Sequence, residues 1–146
     1  MAHVQWDLPA PVGILQVDVQ HRELHGLLLK LFGTLATDPG GALSEFRFIR
    51  LVEQTAQHFK AEEECLQSLG YPDLESHRGD HRKVLERVRE NLIRWNAPNA
   101  PLLFDLVEDF AESIQRHLDT ADQEFSLWWG NSRSATGGGQ RTPPTV

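Results

Sequence analysis

Apolar residues recur every three or four positions along most of the chain, which is the period of an amphipathic α-helix. Four such runs, separated by stops rich in Pro, Gly, Asn and Asp, predict helices over about 18–37, 42–69, 73–95 and 101 to beyond 120. No segment alternates with the period of a strand. The apolar positions of the first two runs are Leu24, Leu27, Leu28, Leu31 and Leu35, then Phe46, Ile49, Val52, Ala56, Phe59, Cys65 and Leu66.

Connections of a few residues join the predicted helices, and short connections force neighbouring helices to run in opposite directions. The predicted fold is therefore all-α, an up-down-up-down antiparallel four-helix bundle. Residues 1 to about 17 contain Pro9, Pro11 and Gly13, each of which opposes a helix. We expect them to form an extended arm whose Trp6 packs against the bundle.

The length of 146 residues suits one ordinary domain, and 40% hydrophobic with 24% charged residues is typical of a globular protein, not of a disordered chain. From residue 131 the composition changes to Gly, Ser and Pro. We therefore expect one domain over residues 1–130, followed by a flexible tail over residues 131–146.

The chain has no run of about 18 apolar residues and no basic start followed by an apolar stretch, so the sequence predicts neither a membrane helix nor a secretion signal. A cytoplasmic protein without a membrane partner is expected. The net charge of −7 argues against a nucleic-acid partner, since phosphate binding depends on Lys and Arg. A monomer is the default expectation, although the sequence leaves the oligomeric state open.

Seven histidines accompany a single cysteine, so a transition-metal site in this chain would use imidazole and carboxylate ligands. Side chains four residues apart share a helix face about 5.4 Å apart along the axis, where one metal ion can reach both. A spacing of five is looser and would require a short aspartate to lean sideways. The candidates are His21 on the first helix, His58 and Glu62 on the second, His77 and His81 on the third, and His117 and Asp122 on the fourth.

A lone histidine on a helix face is more often a hydrogen-bonded core residue than a metal ligand. Four helices that each contribute such groups change this assessment. An antiparallel bundle brings the starts of the first and third helices beside the ends of the second and fourth, so all the candidates fall at one end. Burying them without a partner would cost roughly several kcal/mol each, and a shared metal removes that cost.

Five histidines and two carboxylates exceed what one metal ion can bind. Two metal ions would each have about six coordination positions. Five imidazoles, two bridging carboxylates and one bridging oxygen would fill all of these positions but one. Dioxygen is the natural ligand for the open position, because two Fe(II) ions can supply two electrons. Ferritin-like sites are richer in carboxylate and pair Glu with His three residues apart. The neutral imidazoles of this chain favour reversible binding over oxidation, so no enzymatic activity is expected.

Four motifs combine these candidates with their neighbours: Asp18-x-Gln20-His21; the run His58-Phe59-Lys60-Ala61-Glu62-Glu63-Glu64 with Gly70-Tyr71-Pro72 after it; His77-x-x-x-His81; and His117-x-x-x-x-Asp122. Together they resemble the hemerythrin family, and within it the bacteriohemerythrins. The resemblance extends over about residues 4–130 and fills all seven ligand positions of the family.

The resemblance implies two iron ions bridged by an oxo or hydroxo group and by Glu62 and Asp122. Dioxygen would bind end-on at the iron with two histidines, as a hydroperoxide whose proton comes from the bridging hydroxide, and Ile114 would line that apolar pocket. The terminal ligands would be His77, His81 and His117 on one iron, and His21 and His58 on the other.

His25 lies four residues after His21, at a position where the family usually has an apolar or aromatic residue. In one interpretation it lies near the open coordination position, where it donates a hydrogen bond to bound oxygen or ligates iron and blocks the position. In the other it is a core or supporting histidine bonded to a carbonyl or a glutamate. Cys65 is expected to be a small buried residue. Glu63 is expected to be solvated or to contact a ligand histidine from outside.

The predicted function is reversible dioxygen binding for carriage, storage or delivery. The alternatives at the same site are sensing or scavenging of oxygen, peroxide or nitric oxide, and iron handling. A fused signalling domain would favour sensing, and the sequence contains none, which favours the carrier. Iron storage would need more iron than the two ions that one such site holds.

Overall fold

The structure, a computed structural model, describes residues 10–95 and 102–135. Consecutive helices pack against one another, and the short connections make neighbouring helices antiparallel. The predicted all-α, up-down-up-down four-helix bundle is confirmed. Within the two described ranges no helix combines the length and the apolar character needed to cross a membrane. The elements are α1 (Leu15–Thr37), α2 (Ala42–Leu69), α3 (Leu74–Trp95), α4 (Leu103–His117), a π-helical turn (Leu118–Asp122) and α5 (Gln123–Ala135).

The extended arm is shorter than the sequence predicts, because α1 begins at Leu15. Asp18, in the first turn of α1, accepts hydrogen bonds from the backbone N–H groups of Val12, at 2.7 Å, and Gly13, at 3.3 Å. These bonds fold the arm back onto the helix. Gly13 has the positive φ of 96° that this reversal requires, a conformation that glycine adopts without strain. The predicted packing of Trp6 lies outside the described residues.

The C-terminal helix extends further than the composition indicates. α5 runs to Ala135, so residues 131–135, which the composition assigns to a flexible tail, are helical. The rest of the predicted tail, residues 136–146, lies outside the described part of the chain, as does the loop over residues 96–101. The division into a domain and a flexible tail stays a prediction there.

The main core, which includes Leu31, Phe48, Leu51, Val107 and Phe110, lies between α1, α2, α3 and α4. It shows that the predicted buried face of α2 is wrong near the start of the helix. Phe46 and Ile49 are 60% and 39% exposed, whereas Phe48 is fully buried. Phe48 packs edge to face against Phe110 of α4, with ring centroids 5.8 Å apart. Two rows of apolar side chains run along this part of α2. Contact with α4 buries the row that contains Phe48 and continues to His58, whereas Phe46 and Ile49 stay exposed.

A second apolar cluster, the end core, closes the bundle where the arm meets α5. Trp129 is 2% exposed in this cluster, and Cys65 is fully buried, as predicted. Burial, together with the nearby charge of Glu62, raises the pKa of the Cys65 thiol to about 11, so the thiol stays protonated and is a poor metal ligand. The end core consists of Val12, Ile14, Val17, Cys65, Leu66, Leu69, Tyr71, Phe125 and Trp129.

Gly70 ends α2 and sets the direction of α3. It occupies the left-handed region with φ 76°, and its N–H and that of Tyr71 donate to the carbonyls of Gln67 and Leu66 at 3.1 and 3.0 Å. The chain therefore reverses within a few residues. As a result His77, in the first turn of α3, lies opposite the end of α2.

Replacing Asp18 by alanine is expected to lower the free energy of unfolding by about 1–2 kcal/mol, because two backbone N–H groups of the arm lose their acceptor. Asp18→Asn keeps one acceptor oxygen and should lose roughly half as much. Denaturant unfolding of the metal-free proteins measures both changes, with Glu23→Ala as a control at an exposed position of α1. Parent-like stability of Asp18→Ala would contradict this role.

Candidate metal centre

Five imidazoles and two carboxylates meet between the main core and the end core. Each of these side chains belongs to a residue that is at most 5% exposed. Their ligand atoms form two groups, and within each group all the atoms lie within 4.8 Å of one another. The structure therefore brings together every candidate ligand of the sequence. One group is His21, His58 and Glu62, and the other is Glu62, His77, His81, His117 and Asp122.

α2 and α3 each present a pair of ligands on one helical face, as the four-residue spacing predicts. Nε2 of His58 lies 3.0 Å from Oε2 of Glu62. The rings of His77 and His81 are perpendicular, with centroids 4.6 Å apart. His21 reaches the same place from α1, where its ring centroid is 4.7 Å from that of His58.

The π-helical turn between α4 and α5 explains how His117 and Asp122 share one face. In a π-helix the backbone hydrogen bonds join residues five apart, so side chains at that spacing lie above one another. Oδ1 of Asp122 is 3.1 Å from Nε2 of His117. The expectation that the aspartate leans sideways is therefore wrong, because the backbone widens instead. Such turns are frequent at functional sites.

The two carboxylate oxygens of Glu62 face different histidines. Oε1 lies 2.5 Å from Nε2 of His77 and 3.1 Å from Nε2 of His81. Oε2 lies 3.3 Å from Nε2 of His21 and 3.0 Å from Nε2 of His58. This division between two groups of histidines is what a carboxylate needs in order to bridge two metal ions.

The two carboxylate oxygens of Asp122 also face different histidines. Its Oδ1 is 3.2 Å from Nε2 of His77 and 3.1 Å from Nε2 of His117, and its Oδ2 is 3.2 Å from Nε2 of His21. Both oxygens are buried, and neither makes a hydrogen bond of acceptable geometry. A buried carboxylate in that state is costly unless a cation binds it. These orphaned oxygens therefore fit a pair of metal ions, and iron accepts imidazole together with carboxylate.

Three of the histidines are held from outside by an acceptor at Nδ1. A proton on Nδ1 leaves the Nε2 lone pair free for a metal ion, so these acceptors select the tautomer that can act as a ligand. The contacts are His58 Nδ1 with Gln20 Oε1 at 2.6 Å, His81 Nδ1 with Glu63 Oε2 at 2.9 Å, and His117 Nδ1 with Asp80 Oδ2.

The sequence indicates one of these outer contacts and misses the other two. Glu63 contacts a candidate ligand from outside, which was one of its two predicted roles. Gln20 and Asp80 each come one residue before a candidate ligand, but each holds a histidine of a neighbouring helix. Their position beside a ligand is the only signal that the sequence offers.

The two buried carboxylates make this centre attractive to positive charge. Burial alone lowers the pKa of His21, but the ionised carboxylates of Asp122 and Glu62 beside its ring outweigh burial and raise this pKa to about 9. The pKa of His77 is raised to about 9 for the same reasons. Burial alone would raise the pKa of Glu62, yet its hydrogen bonds to histidines hold it well below the usual range. The carboxylates are therefore ionised and favour cations at this place.

A small cavity of about 30 Å³ adjoins the centre on the side of His21 and His58. Because roughly 10–15 Å³ is enough for one water molecule, this volume suits a guest of two or three heavy atoms. Aliphatic side chains form much of its wall, including Leu28, Leu51 and Ile114. Ile114 is thus in the wall of a cavity beside the centre, and its predicted place in an oxygen pocket stays a prediction.

His25 also lines this cavity, one helical turn beyond His21, and it is half-buried. Among the described residues, the two groups of possible metal ligands do not include it. His25 therefore lies in the cavity wall and outside both groups. Whether it donates to bound oxygen or is a supporting histidine of the core stays a prediction.

Comparison with known proteins gives consistent results. Residues 12–127 match the model of a family described as the hemerythrin HHE cation binding domain. The chain is 31% identical to a bacteriohemerythrin of Stenotrophomonas maltophilia, over 86% of this chain and 81% of the relative. It is 26% identical to a bacteriohemerythrin of Ralstonia nicotianae, over 88% and 90% of the two chains. With one of Methylococcus capsulatus it shares 24% identity over 74% and 82%. No solved structure shows a significant match.

Proposed function

The chain belongs to the hemerythrin family, and from this premise we propose that it binds dioxygen reversibly at a non-haem di-iron centre, for oxygen carriage, storage or delivery. The division of the Glu62 and Asp122 oxygens between two groups of histidines carries the proposal. We assign both carboxylates as bridges. In this assignment His77, His81 and His117 would hold one iron as terminal ligands, and His21 and His58 would hold the other.

The two proposed iron ions differ in their number of histidine ligands, and this difference gives the centre a preferred side for binding a small molecule, the guest. Two iron(II) ions held together supply the two electrons that reversible binding of dioxygen requires. Both histidines of the two-histidine group line the small cavity, but only His117 of the other group does so. A guest in the cavity would therefore lie beside the group that supplies fewer histidines, and the size of the cavity suits a diatomic molecule.

The surroundings of the site favour binding over turnover. Among the described residues that line the cavity there is no carboxylate, lysine or arginine. Phe59 stacks on His81, with ring centroids 3.9 Å apart, and meets His117 edge-on. Apolar walls exclude water and protect a bound guest from side reactions, while neutral imidazoles limit the negative charge that would favour oxidation chemistry.

Iron content and visible spectra test this function directly. Anaerobic loading with iron(II) is expected to give about two ions per chain, the number that the seven ligands accommodate. Admitting dioxygen should produce a visible absorption band that disappears when dioxygen is removed. A protein that binds no iron, or that holds zinc with no optical response to dioxygen, would contradict the proposal.

Shortening Ile114 to alanine is expected to speed autoxidation of the dioxygen-loaded protein by about fivefold, because a larger cavity admits water beside the guest. The same change should lower the free energy of unfolding by about 2 kcal/mol, since part of the side chain is buried. Decay of the visible band in air measures the rate. Ile93→Ala, at a 74% exposed position of α3, is the matched control, and equal rates in the two variants would count against a protective role of Ile114.

A further inference from the structure

Among the described residues of the cavity wall, His25 is an ionisable side chain that is not one of the proposed iron ligands. His25 lies on α1, one turn beyond His21, in a wall that also contains aliphatic side chains such as Leu24, Leu28 and Ile114. An imidazole in such surroundings adds an N–H group to a space that aliphatic side chains would leave without donors.

Among the described residues, two other polar side chains of the wall, Thr55 and Gln115, make hydrogen bonds within the protein. The hydroxyl of Thr55 donates to the carbonyl of Leu51 at 2.8 Å, and the amide of Gln115 donates to Asp119 at 2.9 Å. His25 adds a further polar group to this wall, one helical turn from the proposed ligand His21. An imidazole has a nitrogen atom on each of two edges, so a contact with the protein at one edge is compatible with a contact to a guest at the other.

The small size of the cavity limits how far a guest can lie from its wall. At about 30 Å³, a guest of two or three heavy atoms cannot lie far from any part of the wall. The same wall includes His21 and His58, the proposed ligands of the iron that the guest would meet. A guest beside these two histidines would therefore share the cavity with His25.

We propose that His25 contacts the guest in this cavity and makes the site selective for small molecules that accept a hydrogen bond, above all for small anions over neutral diatomic molecules. The inference rests on the proposed di-iron function. A hydrogen bond to a charged acceptor is worth more in apolar surroundings than in water, because few other donors compete for it. A neutral diatomic molecule that accepts hydrogen bonds weakly gains little from the same N–H.

Azide and nitric oxide are suitable probes of this selectivity. Azide, a linear monoanion, is titrated into the oxidised iron-loaded protein, and nitric oxide into the reduced protein. His25→Leu is expected to weaken azide binding by about tenfold, the usual consequence of losing one charge-assisted hydrogen bond. His25→Gln, which keeps an N–H donor, should recover most of that affinity, and nitric oxide affinity should change by less than about twofold in both variants.

A vibrational measurement reports the hydrogen bond itself. Transfer from H2O to D2O should shift the infrared stretching band of bound azide in the parent protein and in His25→Gln, but not in His25→Leu. Lys30→Leu, which removes a polar group from an exposed position of α1 outside the cavity wall, controls for general effects and should match the parent.

The outcomes separate this inference from the proposed function. Unchanged azide affinity in an iron-loaded His25→Leu protein, or an isotope shift that persists in it, overturns the role of His25 and leaves the di-iron function intact. Failure of the parent protein to bind iron overturns the function itself. If His25→Leu does not fold, the His25→Gln protein decides by its infrared shift: a shift supports the proposal, and its absence contradicts it.

Discussion

A Glu62→Gln protein is expected to lose the stable pair of iron ions. Iron content after loading and desalting should fall from about two ions per chain to well below one, and the visible response to dioxygen should vanish. The reason is that Oε1 and Oε2 face different groups of histidines. An amide offers one oxygen and an NH2 group, so it cannot bridge two cations, and it removes one of the two buried negative charges at the centre.

The chain supplies a matched control for this variant. Glu64 has the same side chain on the same helix, two residues further along, and it is exposed. Glu64→Gln is expected to bind iron like the parent. The thermal stability of each metal-free variant shows whether the fold is kept. Iron binding by Glu62→Gln at the affinity of the parent would refute the bridging role of Glu62.

The helices could be predicted from the sequence because their boundaries depend on local signals. Gly70 marks a helix end through its left-handed backbone conformation, and the stop after Thr37 marks one because Pro and Gly disfavour a helix. Neither signal requires knowledge of distant residues. The buried face of α2 could not be predicted in the same way. Phe46 and Phe48 are both apolar, and only the contact of Phe48 with α4 decides which one is buried.

The ligand candidates could be found from the sequence because spacing along a helix is a local property. His58 with Glu62 and His77 with His81 follow from the four-residue repeat alone. The π-helical turn before Asp122 could not be predicted, since no residue type in it is specific for that backbone. The sequence contains the five-residue spacing but does not indicate how the chain accommodates it.

The outer partners of the histidines depend on the register between helices, which a single sequence does not specify. Gln20 holds a histidine of α2, and Asp80 holds His117 of α4. The side-chain type alone does not separate Asp80 from the other exposed or half-exposed acids of the chain. Outer contacts of this kind orient a ligand and select its tautomer, so their effect is measurable in metal affinity.

Replacing Asp80 by alanine is therefore expected to weaken iron(II) binding by about 10–100-fold. The carboxylate accepts the Nδ1–H of His117 and thereby directs Nε2 of this histidine towards Asp122, 3.1 Å away. Without it the ring can rotate or move its proton to Nε2, and either change costs binding energy. Asp80→Asn keeps an acceptor oxygen and should lie between alanine and the parent. Competition with a chelator of known affinity measures all three proteins.

Asp109 provides the comparison that separates this effect from a general loosening of the bundle. It also joins α3 to α4, through Arg87, with Oδ1 2.6 Å from Nη2 and Oδ2 2.8 Å from Nε, but this contact lies at the surface, away from the centre. Asp109→Ala therefore removes a carboxylate contact between the same two helices without touching a ligand. If Asp80→Ala binds iron(II) no more weakly than Asp109→Ala, the orienting role of Asp80 is wrong. A loss confined to Asp80→Ala, partly restored in Asp80→Asn, means that the affinity of the centre depends on how His117 is held.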